Sequence, residues 1–168
     1  MSIIIRQEIP GDVQGIHDVT MAAFLNEPHT DHTEQFIVKA LRDSGVLSIS
    51  LVAEEDGELV GHVALSPVTI SDGAMNWYGL GPISVVPNKQ GNGIGSKLMH
   101  GAIQALKEIG AKGCVLLGEP SYYQRFGFKV KDGLILPDVP LEYFLALLLQ
   151  GEVPRGSVTY HQAFTAKD

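Results

Sequence analysis

The chain has 168 residues and a net charge of −7, with 12 basic against 19 acidic side chains; at about 150 residues per domain, this length supports one domain, residues 1–168, whose site must be built from a single fold. A composition that is 45% hydrophobic and 18% charged excludes disorder, the acidic balance excludes a broad nucleic-acid surface, and the lone cysteine, Cys114, excludes an internal disulfide. No apolar run approaches the ~20 residues that span a bilayer, and residues 1–7 lack the pattern of a signal peptide, so the expectation is a reducing cytoplasm and no membrane partner.

Ile3, Ile4 and Ile5 with Arg6 and Gln7 read as a first strand, closed by Pro10 and Gly11. Asp12 is placed to cap a helix whose apolar positions, Val13, Ile16, Val19, Thr20, Ala23 and Phe24, recur at three- and four-residue steps. After a polar interruption from Asn26 to His32, Thr33 is placed to cap a second helix carrying Phe36, Ile37, Ala40 and Leu41. The period then changes. Leu47 to Ala53 and Leu59 to Ile70 are strand-like around the two-residue turn Asp56-Gly57, and a further turn at Asp72-Gly73 leads into a strand from Asn76 to Val86. These form an antiparallel meander with a bulge expected at Pro67.

From Ile94 the helical period returns, with Leu98, Met99, Ala102, Ala105, Leu106 and Ile109 on one face, until Gly110. Cys114 to Leu117 is wholly apolar, as expected of a strand buried on both faces and reached by a helical crossover, hence parallel to the strand before it. An aromatic turn from Tyr122 to Phe128, a short apolar helix around Leu141 to Leu149 and a last strand from Val158 to Phe164 complete the order.

Between a strand and an amphipathic helix lies Gln90, Gly91, Asn92, Gly93, Ile94, Gly95, Ser96. Three glycines let successive amides turn inward, and the helix adds its unpaired N-terminal donors and positive dipole end, so the segment is an anion cradle on an acidic protein. A Walker A loop is excluded because no Gly-Lys-Ser/Thr follows Gly91 at the required distance. A dinucleotide fingerprint is a near miss, with Ser96 as third small residue and Glu119 as ribose acid, but such a loop usually follows the first strand of a parallel sheet.

The third reading rests on Gln90, Gly93 and Gly95, spaced as glutamine or arginine, two residues, glycine, one residue, glycine or alanine. Pro82 to Pro87 precede it, Leu98 and Met99 follow, and Tyr123, Gly127 and Phe128 lie downstream. In these motifs and in element order, the chain resembles the GNAT N-acetyltransferase family over Ile3 to Phe128; Gly118 to Phe128 and the tail from Tyr160 to Phe164 resemble its YhbS-like branch. The resemblance implies an α/β GNAT fold, a mixed central sheet with antiparallel N-terminal strands and a splayed parallel pair, Asn76–Val86 and Gly113–Gly118, flanked by helices. It implies acetyl-CoA as co-substrate. The pantetheine would enter the splay and bond the backbone of Ser84, Val85 and Val86, the pyrophosphate would sit on the amides of Gln90 to Ser96, and the thioester would end near Ile83 and Tyr123. No metal is implied.

Within that resemblance, Tyr123 is the expected general acid for the departing thiolate, with Tyr122 the alternative and packing the competing role of both. Arg125 would reach a coenzyme phosphate or stay a solvated cation. Many family members carry a glutamate base on the strand before the glycine loop; the matching residue is Gly79, between Tyr78 and Leu80, which leaves the base to water or to a carboxylate such as Glu34 or Glu54. His29 and His32 alone are weak metal ligands, His62 reads as a hydrogen-bonded structural residue or a cleft lining, and Cys114 reads as core. The expected acceptor is a primary amine of a small molecule or peptide, drawn by Glu27, Asp31, Glu34, Glu54 and Glu55. The alternatives are a non-catalytic acyl-CoA-binding module and a nucleotide-binding protein. The apolar Leu141–Leu149 segment would cover the sheet of a monomer or join a homodimer.

Overall fold

The computed structural model describes residues 2–28 and 30–168. β1 (Ile3–Gln7) pairs antiparallel with β2 (Ile49–Glu55), and β2 with β3 (Glu58–Ile70). The turn between β2 and β3 places Asp56 and Gly57 at φ of 52° and 85°, the left-handed backbone that a tight hairpin requires and an Asp-Gly pair tolerates. β4 (Trp77–Val85) adds antiparallel to β3, and β5 (Gly113–Leu117) adds parallel to β4 through the crossover helix α3 (Ile94–Glu108).

Alternation along β2 sorts the two layers. Leu51 and Ala53 pack with Leu98, Met99, Ala102 and Leu106 of α3, while Val52 faces Ile16 of α1 (Val13–Phe24) and Val38 of α2 (Glu34–Asp43) on the other side. Each fully buried leucine contributes roughly 1.5–3 kcal/mol, so α3 is anchored by its buried stripe rather than by its caps. Among the described residues, no helix is long and apolar enough to cross a membrane.

The parallel pair is the feature that opens the molecule. Only Trp77, Tyr78 and Gly79 pair with β5, opposite Gly113, Cys114 and Val115. Beyond them β4 takes three steps, from Leu80 to Ile83, where β3 takes two, from Leu65 to Val63. The extra residue bends β4 at Gly81 and Pro82 and the strands part. At the closed end Trp77, 1% exposed, lies over Gly113, where a Cβ would stand 2.3 Å from the indole.

The outer edge of β5 is covered by β7 (Phe144–Leu148), antiparallel, with Leu117 opposite Phe144 and Gly113 opposite Leu148. β8 (Gly156–Tyr160) pairs with the end of β3 and, in parallel, with the two-residue β6 (Leu134–Ile135).

Several expectations are corrected. Leu141–Leu149 is not a helix but a 3₁₀ turn, Leu141–Tyr143, followed by β7. Leu145 is buried against the α3 layer and Phe144 and Ala146 against Trp77 and Val115, so a strand buried on both faces has no period to read. Pro67 pairs in register with Tyr78; the bulged proline is Pro82. The last strand stops at Tyr160, and Gln162–Thr165 is a 3₁₀ turn capped by His161 Nδ1, which accepts from Ala163 N–H at 3.0 Å. Asp12 and Thr33 stand at the N-cap positions without side-chain caps. The Asp12 carboxylate instead accepts from Ile9 N–H at 2.8 Å and from Arg6 at 2.8 and 3.1 Å, and these bonds hold its oxygens away from the α1 amides.

Candidate active site

The loop from Gln90 to Ser96 enters α3 with Gly91 and Gly93 at φ of 81° and 84°, a backbone that side chains with a Cβ rarely adopt. The first helical bond runs from Lys97 N–H to Gly93 C=O at 3.1 Å, which leaves the amides of Ile94, Gly95 and Ser96 without helical acceptors. Asn92 Nδ2 donates to Lys89 C=O at 3.3 Å, and Gln90 Nε2 donates to Val85 C=O at 3.0 Å, tying the loop to the end of β4. Loop and strand edge line a cavity of about 390 Å³ with Lys89, Tyr122 and Arg125. Lys89 is held by Glu55 at 2.6 Å, while the Arg125 guanidinium stacks 4.6 Å from the Tyr122 ring centre.

Val86 N–H donates to Val60 C=O at 3.0 Å, so by strand alternation the amides of Val86 and Ser84 face β3 and those of Ile83 and Val85 face the gap. Of Ser84, Val85 and Val86, only Val85 presents its N–H to the splay. Ile83 supplies the second inward donor.

A second cavity, of about 540 Å³, opens on the other side of that edge between Leu80–Ile83, Leu116, Leu117, Tyr160, Phe164 and the α1–α2 side chains Phe24, Glu34 and Ile37. Ile83 and Tyr123 line both cavities. Tyr123 closes the single-turn helix α4 (Pro120–Tyr123), and its ring occupies the space beside Gly118, where a Cβ would come within 2.3 Å of Cε2. Burial raises the Tyr123 phenol above its ordinary range and the neighbouring Tyr122 adds to it, which keeps the hydroxyl protonated and able to donate. Tyr122 packs edge-on against Tyr123 and Phe126, and its hydroxyl stands 3.3 Å from where a Cβ of Gly95 would be.

The family model for an acetyltransferase (GNAT) domain matches residues 5–131. The chain belongs to the GNAT acetyltransferase family. It is 36% identical over 129 residues to the uncharacterized N-acetyltransferase YhbS of Escherichia coli (strain K12), covering 76% of this chain and 74% of that protein. Among solved structures, it is similar to a GNAT family acetyltransferase from Brucella melitensis in complex with acetyl-CoA, at 46% identity and a TM-score of 0.87 over 97% of this chain and 98% of that one. It is similar also to the Escherichia coli YhbS structure in complex with CoA, at 32% identity and a TM-score of 0.87 over 97% and 92%.

Other residues of this GNAT domain fall into place around the cavities. His62 is fully buried and its Nε2 lies 2.8 Å from Ser50 Oγ, which also bonds Glu8; it lines no cleft. The Cys114 thiol is buried, and burial pushes it far above the range of a nucleophilic thiolate. Glu54 is held by Arg6 at 2.9 Å and Glu55 by Lys89, and neither lines the 540 Å³ cavity. Glu34 does line it, and Glu27 lines an adjoining cavity. His29 lies outside the described residues.

Tyr160, which sequence reasoning left in the tail, lines the 540 Å³ cavity. Its ring stands over Gly79, and its buried hydroxyl finds no partner among the described residues. A tyrosine 81 positions from the glycine it covers gives no local signal.

Proposed function

We propose that the chain, as one domain over residues 1–168, transfers an acetyl group from acetyl-CoA to a primary amine by direct attack in a ternary complex. The observation that supports this most is the meeting of two cavities at Ile83 and Tyr123, one lined by free loop amides and the other by apolar side chains. The amides of residues 91–96 and the α3 N-terminus would hold the pyrophosphate, with Arg125 at their side. The pantetheine would lie along the unpaired edge of β4 and bond Val85.

The amine nitrogen would attack the thioester carbonyl carbon from the 540 Å³ cavity. The Ile83 and Val85 amides face the gap where the carbonyl oxygen gains charge, and such preset donors steady a tetrahedral oxyanion. As the carbon–sulfur bond breaks, the Tyr123 hydroxyl would give its proton to the thiolate.

Titration calorimetry tests the coenzyme assignment. A folded Gly93→Val protein, strained at a φ of 84°, should bind coenzyme A at least ~10-fold more weakly than the native chain. Equal affinity would overturn the role of this loop.

A further inference from the structure

The 540 Å³ cavity is apolar almost throughout: Phe24, Ile37, Leu80, Leu117, Val139 and Phe164 stand in its wall, and among the described residues Glu34 is its one charged lining residue. Glu34 lies in the first turn of α2, with Oε2 accepting a hydrogen bond from Thr30 Oγ1 at 2.6 Å. Its other oxygen, Oε1, is shielded from solvent and has no hydrogen-bond partner among the described residues. A carboxylate oxygen in that condition lacks the donors it would have in water, and a ligand ammonium in the cavity would supply them. On β4, position 79 has no side chain, and the Tyr160 ring fills the space above it.

Resting on the acetyl-transfer reading above, we infer that Glu34 receives the acceptor, and that the acceptor is a monoamine whose primary amino group is carried on an apolar alkyl or arylalkyl body. A second ammonium would find no second charged side chain in this cavity among the described residues, and the polar backbone of a peptide would find only the Tyr123 and Tyr160 hydroxyls, so desolvating either against the apolar wall is unfavourable. A cavity of about 540 Å³ accommodates a body of this kind without requiring a polymer to enter.

The proton balance follows from this placement. The bound ammonium gives one proton to the Glu34 carboxylate and becomes a free amine. Its nitrogen forms the carbon–nitrogen bond as the carbonyl opens, and collapse breaks the carbon–sulfur bond. Tyr123 protonates the thiolate and is reprotonated by the proton that the new amide nitrogen must shed. Glu34 returns its proton to solvent when the amide leaves.

Coenzyme A release, followed with a thiol reagent, tests the inference on a panel of alkylamines and arylalkylamines, linear polyamines and short peptides. Apolar monoamines should show kcat/KM at least ~10-fold above the other two classes. Glu34→Gln, which keeps the size of the side chain and an oxygen for Thr30, should lower kcat/KM for them ~10²-fold or more while calorimetric binding of coenzyme A stays unchanged. A native protein that does not bind acetyl-CoA would overturn the underlying reading. One that binds it but acetylates no monoamine, or prefers polyamines or peptides, or keeps native kcat/KM after Glu34→Gln, would overturn this inference alone. The native panel decides the acceptor class even if the variant does not fold.

Discussion

The Tyr160 ring rests on the Cα of Gly79 so closely that a Cβ at residue 79 would lie 2.9 Å from Tyr160 Cε2 and 3.1 Å from Val68 Cγ1. The two residues are one packing unit, and the absence of a side chain on one is the condition for the other.

Gly79→Ala should therefore destabilise the protein by roughly 1–3 kcal/mol, the usual cost of overpacking a core contact. Most of that cost should vanish in a Tyr160→Ala background, which removes the nearest obstacle. Urea unfolding of the two single variants and the double variant measures the coupling; strictly additive effects would show that Tyr160 does not determine what residue 79 can be.

Tyr123→Phe keeps the ring that packs on Gly118 and removes the hydroxyl alone. Coenzyme A affinity should hold while kcat falls ~10²-fold or more. Because burial raises the Tyr123 phenol, the acid form persists through neutral pH and the alkaline loss of activity from this group begins above the ordinary phenol range near 10. An unchanged kcat would return the role of donor to Tyr122 or to water.

His62 governs stability below neutrality. The Ser50 hydroxyl gives its hydrogen to Glu8, so His62 Nε2–H donates to Ser50 Oγ and Nδ1 is left as an acceptor without a donor among the described residues. Burial pushes the imidazole down to about 4, with Glu8 partly opposing and Arg42 reinforcing the fall. Above pH ~6.5 both folded and unfolded forms are neutral and the full stability is present. As pH falls from there to about 4, the unfolded chain takes up the proton first, and about 3 kcal/mol is lost. Glu8 acts lower on the scale: burial works against its charge, but hydrogen bonds from Arg42 and Ser50 outweigh it and hold the carboxyl below its usual range. In denaturant titrations at successive pH values, His62→Phe should flatten the slope between pH ~6.5 and ~4.5 and keep the steeper acid loss beneath it.

The elements from Ile3 to Glu108 were legible because each carries one clean period or one turn with special backbone needs, as at Asp56-Gly57 and Gly91 to Gly95, and the periodless β5 could be read because a helical crossover leads into it. β7 was not, since an apolar run buried on both faces has no period and its partner β5 lies about thirty residues earlier. Within the candidate site, the loop was read from its glycines as an anion cradle, while its coenzyme role and Tyr123 came from the family resemblance. Which amides of residues 83–86 face the gap depends on the hydrogen-bond register with β3, and that register includes a bulge which sequence reasoning placed at Pro67 instead of Pro82. Glu34 resembled any solvated acid at a helix start, and only the approach of Phe24, Ile37 and Phe164 turns it into the single charge, among the described residues, of an apolar cavity.

Trp77 is the one tryptophan of the chain, and it is locked over Gly113 where the parallel strands are still zipped. The intrinsic fluorescence of this protein is consequently an optical gauge of the zipper's root. Its emission belongs to a dry indole while β4 and β5 hold together at that point, and it is insulated by the paired residues Tyr78 and Gly79 from whatever occupies the open fork beyond them.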